Sequence, residues 1–282
     1  MPELPEVETE RGRLAEAIAG RKILSARIDD ARLTRPEDPE AVAAVLAGDR
    51  VDSVERRGKY IVIRLKSGNT LLVHLRMTGG FRYEPATHER AVLELSGGVR
   101  VAYRDTRRFG TWLLADTESA DRIIAVKNGP EPLERRFSTA FLAGRLAGRT
   151  APLKAAILDQ RTVAGLGNIY ADEALWHSRL HPQRPAGELA PDEVAALRDA
   201  IRKALRLGIR RGGATLYDQA YAGGAMQHEF RVYGRSGEPC ERCGEPIAKT
   251  VVGGRGTSFC PTCQTASKSS SRPSRSRRQS SV

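Results

Sequence analysis

CERCGEPIAKTVVGGRGTSFCPTC, residues 240–263, holds all four cysteines of the 282-residue chain, and their spacing decides more of the fold than any other stretch. Two Cys-x-x-Cys knuckles, Cys240/Cys243 and Cys260/Cys263, are separated by the sixteen residues from Gly244 to Phe259. Each knuckle can supply two corners of a tetrahedron, which is the pattern of a four-thiolate Zn2+ site. With every corner filled by protein, one ion would hold shape and leave no open position for chemistry. Lys249, Arg242 and Arg255 nearby favour the thiolate forms. Disulfides belong to oxidising compartments, and a redox knuckle would not need two copies. A segment so poor in core residues needs the metal to fold. Between the knuckles, IAKTVVGGRGTSF reads as two strands around a glycine turn. Arg255 in that turn is either an ordinary exposed arginine or a probe for nucleic acid.

Upstream of Arg231 the pattern is helical. STAFLAGRLAG (138–148), PLKAAILDQ (152–160) and NIYADEALWHS (168–178) are followed by PDEVAALRDAIRKALRLG (191–208), which sets Val194, Leu197, Ile201 and Leu205 on one face. VAGLGNIYADEALW places Gly165, Gly167 and Asn168 just before a helix. Amides freed at such a start suit a phosphate, and Asn168 can cap or donate. The same residues also make a plain helix start.

Before GPEPLE (129–134), a loop signal, the period changes to two. KILSARI (22–28), YIVIRLK (60–66), TLLVHLRM (70–77), AVLELSG (91–97), VRVAYRD (99–105) and TWLLA (111–115) are short, β-branched or alternating, with the helix PEAVAAVLAG (39–48) inserted. Strands at this spacing predict a two-layer antiparallel sandwich or barrel. The chain opens MPELPEVETERGR. Pro5 suits a first helical position, Glu6 and Glu8 complement the helix dipole, Val7, Leu14 and Ile18 share a side, and Gly20 suits the stop. Pro2 is small enough for Met1 to be removed, which would leave a secondary amine beside the positive end of that helix.

The fold class is therefore α+β. Residues 1–132 read as an N-terminal antiparallel β-sandwich with a leading helix, 133–230 as a helical module, 231–264 as a zinc-finger β-hairpin, and 265–282 as a tail. The formal charge is +12, and five of those charges, Lys268, Arg272, Arg275, Arg277 and Arg278, lie in the serine-rich tail with no acid among them. That tail is expected to be disordered. The surplus left in the folded part leans towards polyanions. No run of about 18 apolar residues is present, so no membrane span is expected. The first twenty residues hold Glu3, Glu6, Glu8 and Glu10 instead of an apolar segment, so a secretory signal is not read and the cytoplasm is the default.

PELPEVE, RRGKY (56–60), HLRMTG (74–79), DTRRFG (105–110), GPEPL, LDQRTVAGLGNIYADEALW and VYGRSGEPCERCG followed by GGRGTSFCPTCQ occur in this order. Together they resemble formamidopyrimidine-DNA glycosylase, a bifunctional repair family for 8-oxoguanine and ring-opened purines, from Pro2 to Gln264. The resemblance implies a β-sandwich, a helix-two-turns-helix module and a zinc finger with one structural Zn2+. It also implies a nucleoid-associated monomer whose partner is double-stranded DNA carrying damaged bases or abasic sites.

By that resemblance Pro2 is the nucleophile. An α-amine titrates near 8, so a useful neutral fraction exists at neutral pH. Attack on C1′ gives an iminium that acidifies the C2′ proton and permits β- and then δ-elimination. Glu3 takes the acid role, which needs a raised pKa. Lys59 assists elimination at the scissile phosphates, and Arg255 serves the δ step and grips phosphate. Turning a nucleotide out of the duplex leaves a hole, and the family match assigns the wedge to Met77, Arg107 and Phe109. Leu71, Val73, Leu75 and Met77 alternate, so Met77 also reads as core. Arg108 is the internal alternative to Arg107. His88, Arg149, Lys154 and Asn168 fall at DNA-contact positions.

Three departures stand out. Arg149 occupies a position where many relatives have Lys. ATLYDQAYAGGAMQHEF (214–230) is shorter and richer in alanine than the family loop over the everted base. Asn128 replaces a commonly apolar residue. The competing functions are an endonuclease VIII-like enzyme for oxidised pyrimidines and a non-catalytic zinc-finger lesion binder. PELPEV and the Met77 and Arg107–Phe109 matches favour the purine enzyme.

Overall fold

The computed structural model describes residues 1–215 and 223–266; the middle of the 214–230 loop and the basic tail beyond Ala266 lie outside the described residues. The first half folds as two four-stranded antiparallel sheets. One has the order β1 (Ile23–Ile28), β6 (Glu89–Leu95), β7 (Val99–Asp105), β5 (Gly79–Arg82). The other runs β2 (Val51–Arg57), β3 (Tyr60–Leu65), β4 (Asn69–His74), β8 (Thr111–Asp116). Ile61, Val73, Phe81, Leu93, Tyr103 and Trp112 form the core of this half.

The sequence pattern placed the inserted helix, α3 (Pro39–Leu46), but missed four elements here, each for a physical reason. α2 (Ala31–Thr34), with Asp30 as its N-cap, is a single turn, too short to show a period. The register of β2 shifts between Val51 and Ser53, which breaks its alternation. β5 is Gly79-Gly80-Phe81-Arg82, which reads as a turn yet pairs with β7. α4 (Thr117–Lys127), capped by Asp116 accepting the Ser119 N–H at 2.9 Å, buries only Ala120 and Ile124, against Val62 and Leu72 on the outer side of the second sheet. The reading of Met77 as core is corrected. β4 ends at His74, Leu75 is 1% exposed, Arg76 turns the chain at φ 53°, and Met77 emerges 40% exposed.

The second half packs α5 (Thr139–Leu146), α6 (Leu153–Leu158), α7 (Asn168–Ser178) and α8 (Pro191–Arg210) around Leu142, Leu153, Ile157, Leu175, Leu197, Ile201 and Leu205. The leading helix α1 (Leu4–Ile18) serves both halves: Leu4 belongs to the helical core, while Val7, Leu14 and Ile18 belong to the sandwich core. Its first turn therefore lies at the seam between them.

In the third module β9 (Ala248–Val252) and β10 (Arg255–Phe259) pair with Arg255 opposite Val252, leaving Gly253 and Gly254 as a two-residue turn. Their φ values of 57° and 73° are those a tight hairpin of this kind requires, which glycine meets without strain. Arg255 is thus the first residue of β10, directly after the turn. The module docks on α7 through Trp176, Val232, Cys240, Ile247 and Cys260. Glu173 on α7 accepts the N–H groups of Arg231, Val232 and Tyr233 at 2.9–3.0 Å.

Candidate active site

At the seam a cleft of about 640 Å3 is lined by residues from all three modules, among them Met1, Lys59, His74, Arg76, Met77, Lys127, Asn168, Tyr233 and Arg255. Its lining includes four cations, Lys59, Arg76, Lys127 and Arg255, and no carboxylate among the described residues. The cleft thus suits a polyanion.

Pro2 and Glu3 are buried beneath Met1. Burial lowers the pKa of the Met1 amine, with Glu3 and Glu6 opposing. Glu3 reaches across to α7: its carboxylate accepts the Ile169 N–H at 2.8 Å and the Tyr170 N–H at 3.3 Å. A Cβ on Gly167 would collide with that carboxylate. The glycine before α7 therefore makes room for Glu3, and the helix-start amides, read as either a phosphate site or a plain helix start, hold Glu3. Burial raises the Glu3 pKa, and Lys59 and the two amides pull the other way. The Glu3 N–H donates to Glu6 at 2.9 Å, and Glu6 also accepts from the Tyr170 hydroxyl at 2.7 Å and the Ala214 N–H at 2.8 Å. Burial, with the neighbouring Glu3, lifts Glu6 to about 7.

Lys59 occupies the second position of the two-residue β2–β3 turn, after Gly58 at φ 57°. A hairpin tip is ordinarily wet; this one is wedged between modules, and Lys59 is buried. Burial lowers its pKa, Glu3 opposes and Arg255 adds. The turn is held by Glu131 of GPEPL, whose carboxylate accepts the Gly58 N–H at 2.6 Å and the Arg56 guanidinium at 2.7 Å. Arg56 also donates to Glu8 of α1 at 2.9 Å. The sequence reading gave Glu131 no role, because its partners lie 73 or more positions away.

His74 was likewise missed, being one more residue on an alternating strand. It lines the cleft, packs edge-on to Tyr60 with ring centroids 4.9 Å apart, and accepts the Arg76 N–H at Nδ1. Burial, with Arg76, Lys59 and Lys127 adding, lowers its pKa to about 3, so the ring is neutral and its hydrogen sits on Nε2.

The wedge candidates are gathered by one acid. Asp105 accepts the Thr78 hydroxyl at 2.5 Å and the Gly110 N–H at 2.7 Å, and Thr78 in turn accepts the Arg107 N–H at 3.0 Å. Met77, Arg107 and Phe109 are all exposed, and the Arg107 guanidinium lies 4.8 Å from the Phe109 ring centroid. Arg108 is taken instead by a bidentate pair with Asp30, at 2.5 and 2.9 Å. His88, exposed at φ 63°, stands beside this loop, its carbonyl accepting the Asp105 N–H at 3.1 Å.

The other candidates separate. Asn168 lines the cleft, with Nδ2 donating to the Gly256 carbonyl at 2.9 Å. Arg149 lies off the cleft between α5 and α6, 3.7 Å from Asp159. Lys154 is corrected: its side chain is 0% exposed, pairs with Asp172 at 2.6 Å, and donates to the Gly256 carbonyl and Thr257 hydroxyl, both at 2.9 Å. Asp172 also accepts the Ser258 N–H at 3.0 Å. So Lys154 cannot present its charge to DNA; it pins the hairpin that carries Arg255 to the helical module.

The sulfurs of Cys240, Cys243, Cys260 and Cys263 lie within 4.8 Å of one another, and none is in a disulfide. A tetrahedral Zn–S site needs sulfurs about 3.8 Å apart, so the set fits one Zn2+. The Trp176 indole N–H points at the Cys240 sulfur, 3.5 Å away, an outer partner for that ligand. No helix of the described residues is long and apolar enough to cross a membrane.

Three family descriptions match successive parts of the chain. Residues 1–112 match the formamidopyrimidine-DNA glycosylase N-terminal domain, 128–220 its H2TH domain, and 237–266 the zinc finger found in FPG and IleRS. The formamidopyrimidine-DNA glycosylase of Roseiflexus sp. is 45% identical over 273 residues, covering 94% of this chain and all of the relative. A structure of the Lactococcus lactis Fpg with DNA containing an abasic site superposes with a TM-score of 0.87 at 36% identity, covering 93% of this chain and 99% of that one. A MutM structure with DNA containing carbocyclic 8-oxo-G gives 0.87 at 37% identity, covering 94% and 100%.

Proposed function

The chain belongs to the formamidopyrimidine-DNA glycosylase family, and from that membership we propose which of its groups carry out each step. It is a base-excision repair enzyme, a DNA glycosylase with AP lyase activity for oxidised purines in duplex DNA, and it carries one structural zinc. Family membership sets aside the oxidised-pyrimidine and binding-only alternatives.

The nucleophile is Pro2, exposed by removal of Met1. The observation that carries this reading is the meeting of the chain's amino end, Lys59 and Arg255 in one cleft whose lining holds no carboxylate among the described residues. Burial, which already lowers the amine pKa at Met1, keeps a neutral secondary amine available. Its nitrogen lone pair forms a bond to C1′ as the glycosidic bond breaks and the base leaves. Glu3, whose pKa burial raises, donates its proton to the ring oxygen as the sugar opens. The resulting iminium acidifies the C2′ proton; as a base takes it, the C–H electron pair forms the C2′–C3′ double bond and the 3′ phosphate leaves, and a second elimination expels the 5′ phosphate. Lys59 and Arg255 stand at those phosphates. Zinc supplies no step. With the metal bound, the four cysteines hold the finger that presents Arg255.

Met77, Arg107 and Phe109 enter the space left by the everted nucleotide, their loop held by Asp105. His88, Arg149 and Asn168 contact the phosphate backbone. The positive surplus supports residence on the nucleoid, which imaging of a labelled chain against a DNA stain would check.

Borohydride trapping on an 8-oxoguanine duplex tests the mechanism. The wild type should yield a covalent adduct, and Pro2→Gly should lose it while still binding the duplex. Undiminished trapping by Pro2→Gly would remove Pro2 from the role.

A further inference from the structure

The cleft carries a cation that the mechanism leaves unused. We propose that Lys127 binds a phosphate of the damaged strand on the Tyr60–His74 wall, and that it acts on DNA binding and not on bond breaking. This rests on the DNA reading above.

Lys127 is the last residue of α4, exposed, and lines the cleft. Its Nζ lies 5.9 Å from the centroid of the Tyr60 ring, the outer range of a cation–π contact. Tyr60 in turn packs on His74. Lys127 pairs with no acid among the described residues. Its field joins those of Arg76 and Lys59 on His74, so three cations crowd one wall with no carboxylate in the lining among the described residues. Like charges repel, and an anion between them relieves that cost. His74, neutral with hydrogen on Nε2, is a donor on the same wall.

The direction of Lys127 is set by the next residue. Asn128 ends α4 in an extended conformation, φ −125° and ψ 141°, and its Nδ2 donates to the Ile124 carbonyl at 3.1 Å. Its carboxamide packs against Gly58, where any Cβ would strike it. The end of α4 is thereby seated on the turn that carries Lys59. Lys127 and Lys59 then face the cleft from one fixed wall, so they can hold two different phosphates. The departure at Asn128 is accounted for by this seating.

A lysine in a last turn also complements the helix dipole; that role would show in stability alone. The test measures Kd for a duplex bearing a tetrahydrofuran abasic analogue across about 50 to 200 mM salt. Wild type, Lys127→Ala and Lys127→Arg are compared, each also assayed for thermal midpoint and, on a separate 8-oxoguanine duplex, for borohydride trapping. Lys127→Ala should bind more weakly, with a log–log salt slope shallower by about 0.9, one phosphate's worth. Its kinetic loss should fall on KM and not on kcat, and Lys127→Arg should restore the slope. An unchanged slope, a fall confined to kcat, or a change only in thermal midpoint would each overturn the proposal while trapping persists. Failure of the wild type to trap would instead overturn the mechanism on which it rests.

Discussion

The Glu131 carboxylate accepts the Gly58 N–H at 2.6 Å, and through that bond the loop between the two large modules holds the turn that presents Lys59. The same carboxylate carries the Arg56 ion pair, with both side chains 10% exposed or less. Glu131→Ala would leave the buried Gly58 amide unpaired and Arg56 with Glu8 as its remaining carboxylate partner, at a cost of about 1–3 kcal/mol. Glu131→Gln keeps one acceptor and should cost less. Urea melts of the three proteins, read beside elimination rates, check both. Equal stability of wild type and Glu131→Ala would show that the turn is held by something else.

Glu6 should make stability fall as pH rises towards neutrality. Its pKa is raised from 4.5 to about 7 on folding, chiefly by burial, so the folded chain holds more protons than the unfolded chain between those values. That contribution is full below about pH 4.5 and is lost as pH climbs through about 7, a swing on the order of 3 kcal/mol. Glu6→Gln removes the titration and should flatten this part of the profile. Denaturant midpoints in steps across the window decide it; a variant with the wild-type slope would exclude Glu6 as the source.

Met77 and Leu75, two residues apart, should separate stability from function. Leu75→Ala opens the sandwich core and should cost about 2–5 kcal/mol. Met77→Ala, at an exposed site, should stay within about 0.5 kcal/mol, yet slow excision of 8-oxoguanine under single-turnover conditions. A Met77→Ala protein with normal excision would end its assignment to the wedge.

Chelation should yield one Zn2+ per chain by elemental analysis. Loss of the metal should release the hairpin carrying Arg255 and abolish DNA binding, with helix and sheet signals elsewhere retained. Trp176, packed on Cys240 and 3.6 Å from the Arg242 guanidinium, should report the event in fluorescence. Unaltered DNA binding by metal-free protein would contradict a structural role.

What the sequence made legible was local. The Cys-x-x-Cys spacing, the Gly253-Gly254 turn and the apolar stripe of α8 all depend on neighbours within a few positions. What escaped it depends on distant partners or broken periods. The bulge in β2 hid a strand. Lys59 is marked by its family motif alone, because nothing nearby announces that its turn is wedged beneath two other modules. For Asn168 and the glycines before it, a phosphate cradle and a plain helix start are both open because Glu3, the carboxylate that takes those amides, lies more than 160 positions earlier. Lys154 carries a motif match but no sign of Asp172, 18 positions on, whose charge keeps it inside. The family motifs mark which residues matter; only packing tells which of them face the cleft.

Because Leu4 seals one core and Val7, Leu14 and Ile18 seal the other, α1 is a single piece of chain owned by both halves. Recombining this protein with a relative at the GPEPL loop would transplant a sandwich together with a foreign plug for the helical core. Viable chimaeras must therefore inherit the opening residues from whichever parent supplies α7, so the natural crossover point lies inside α1, between Leu4 and Val7.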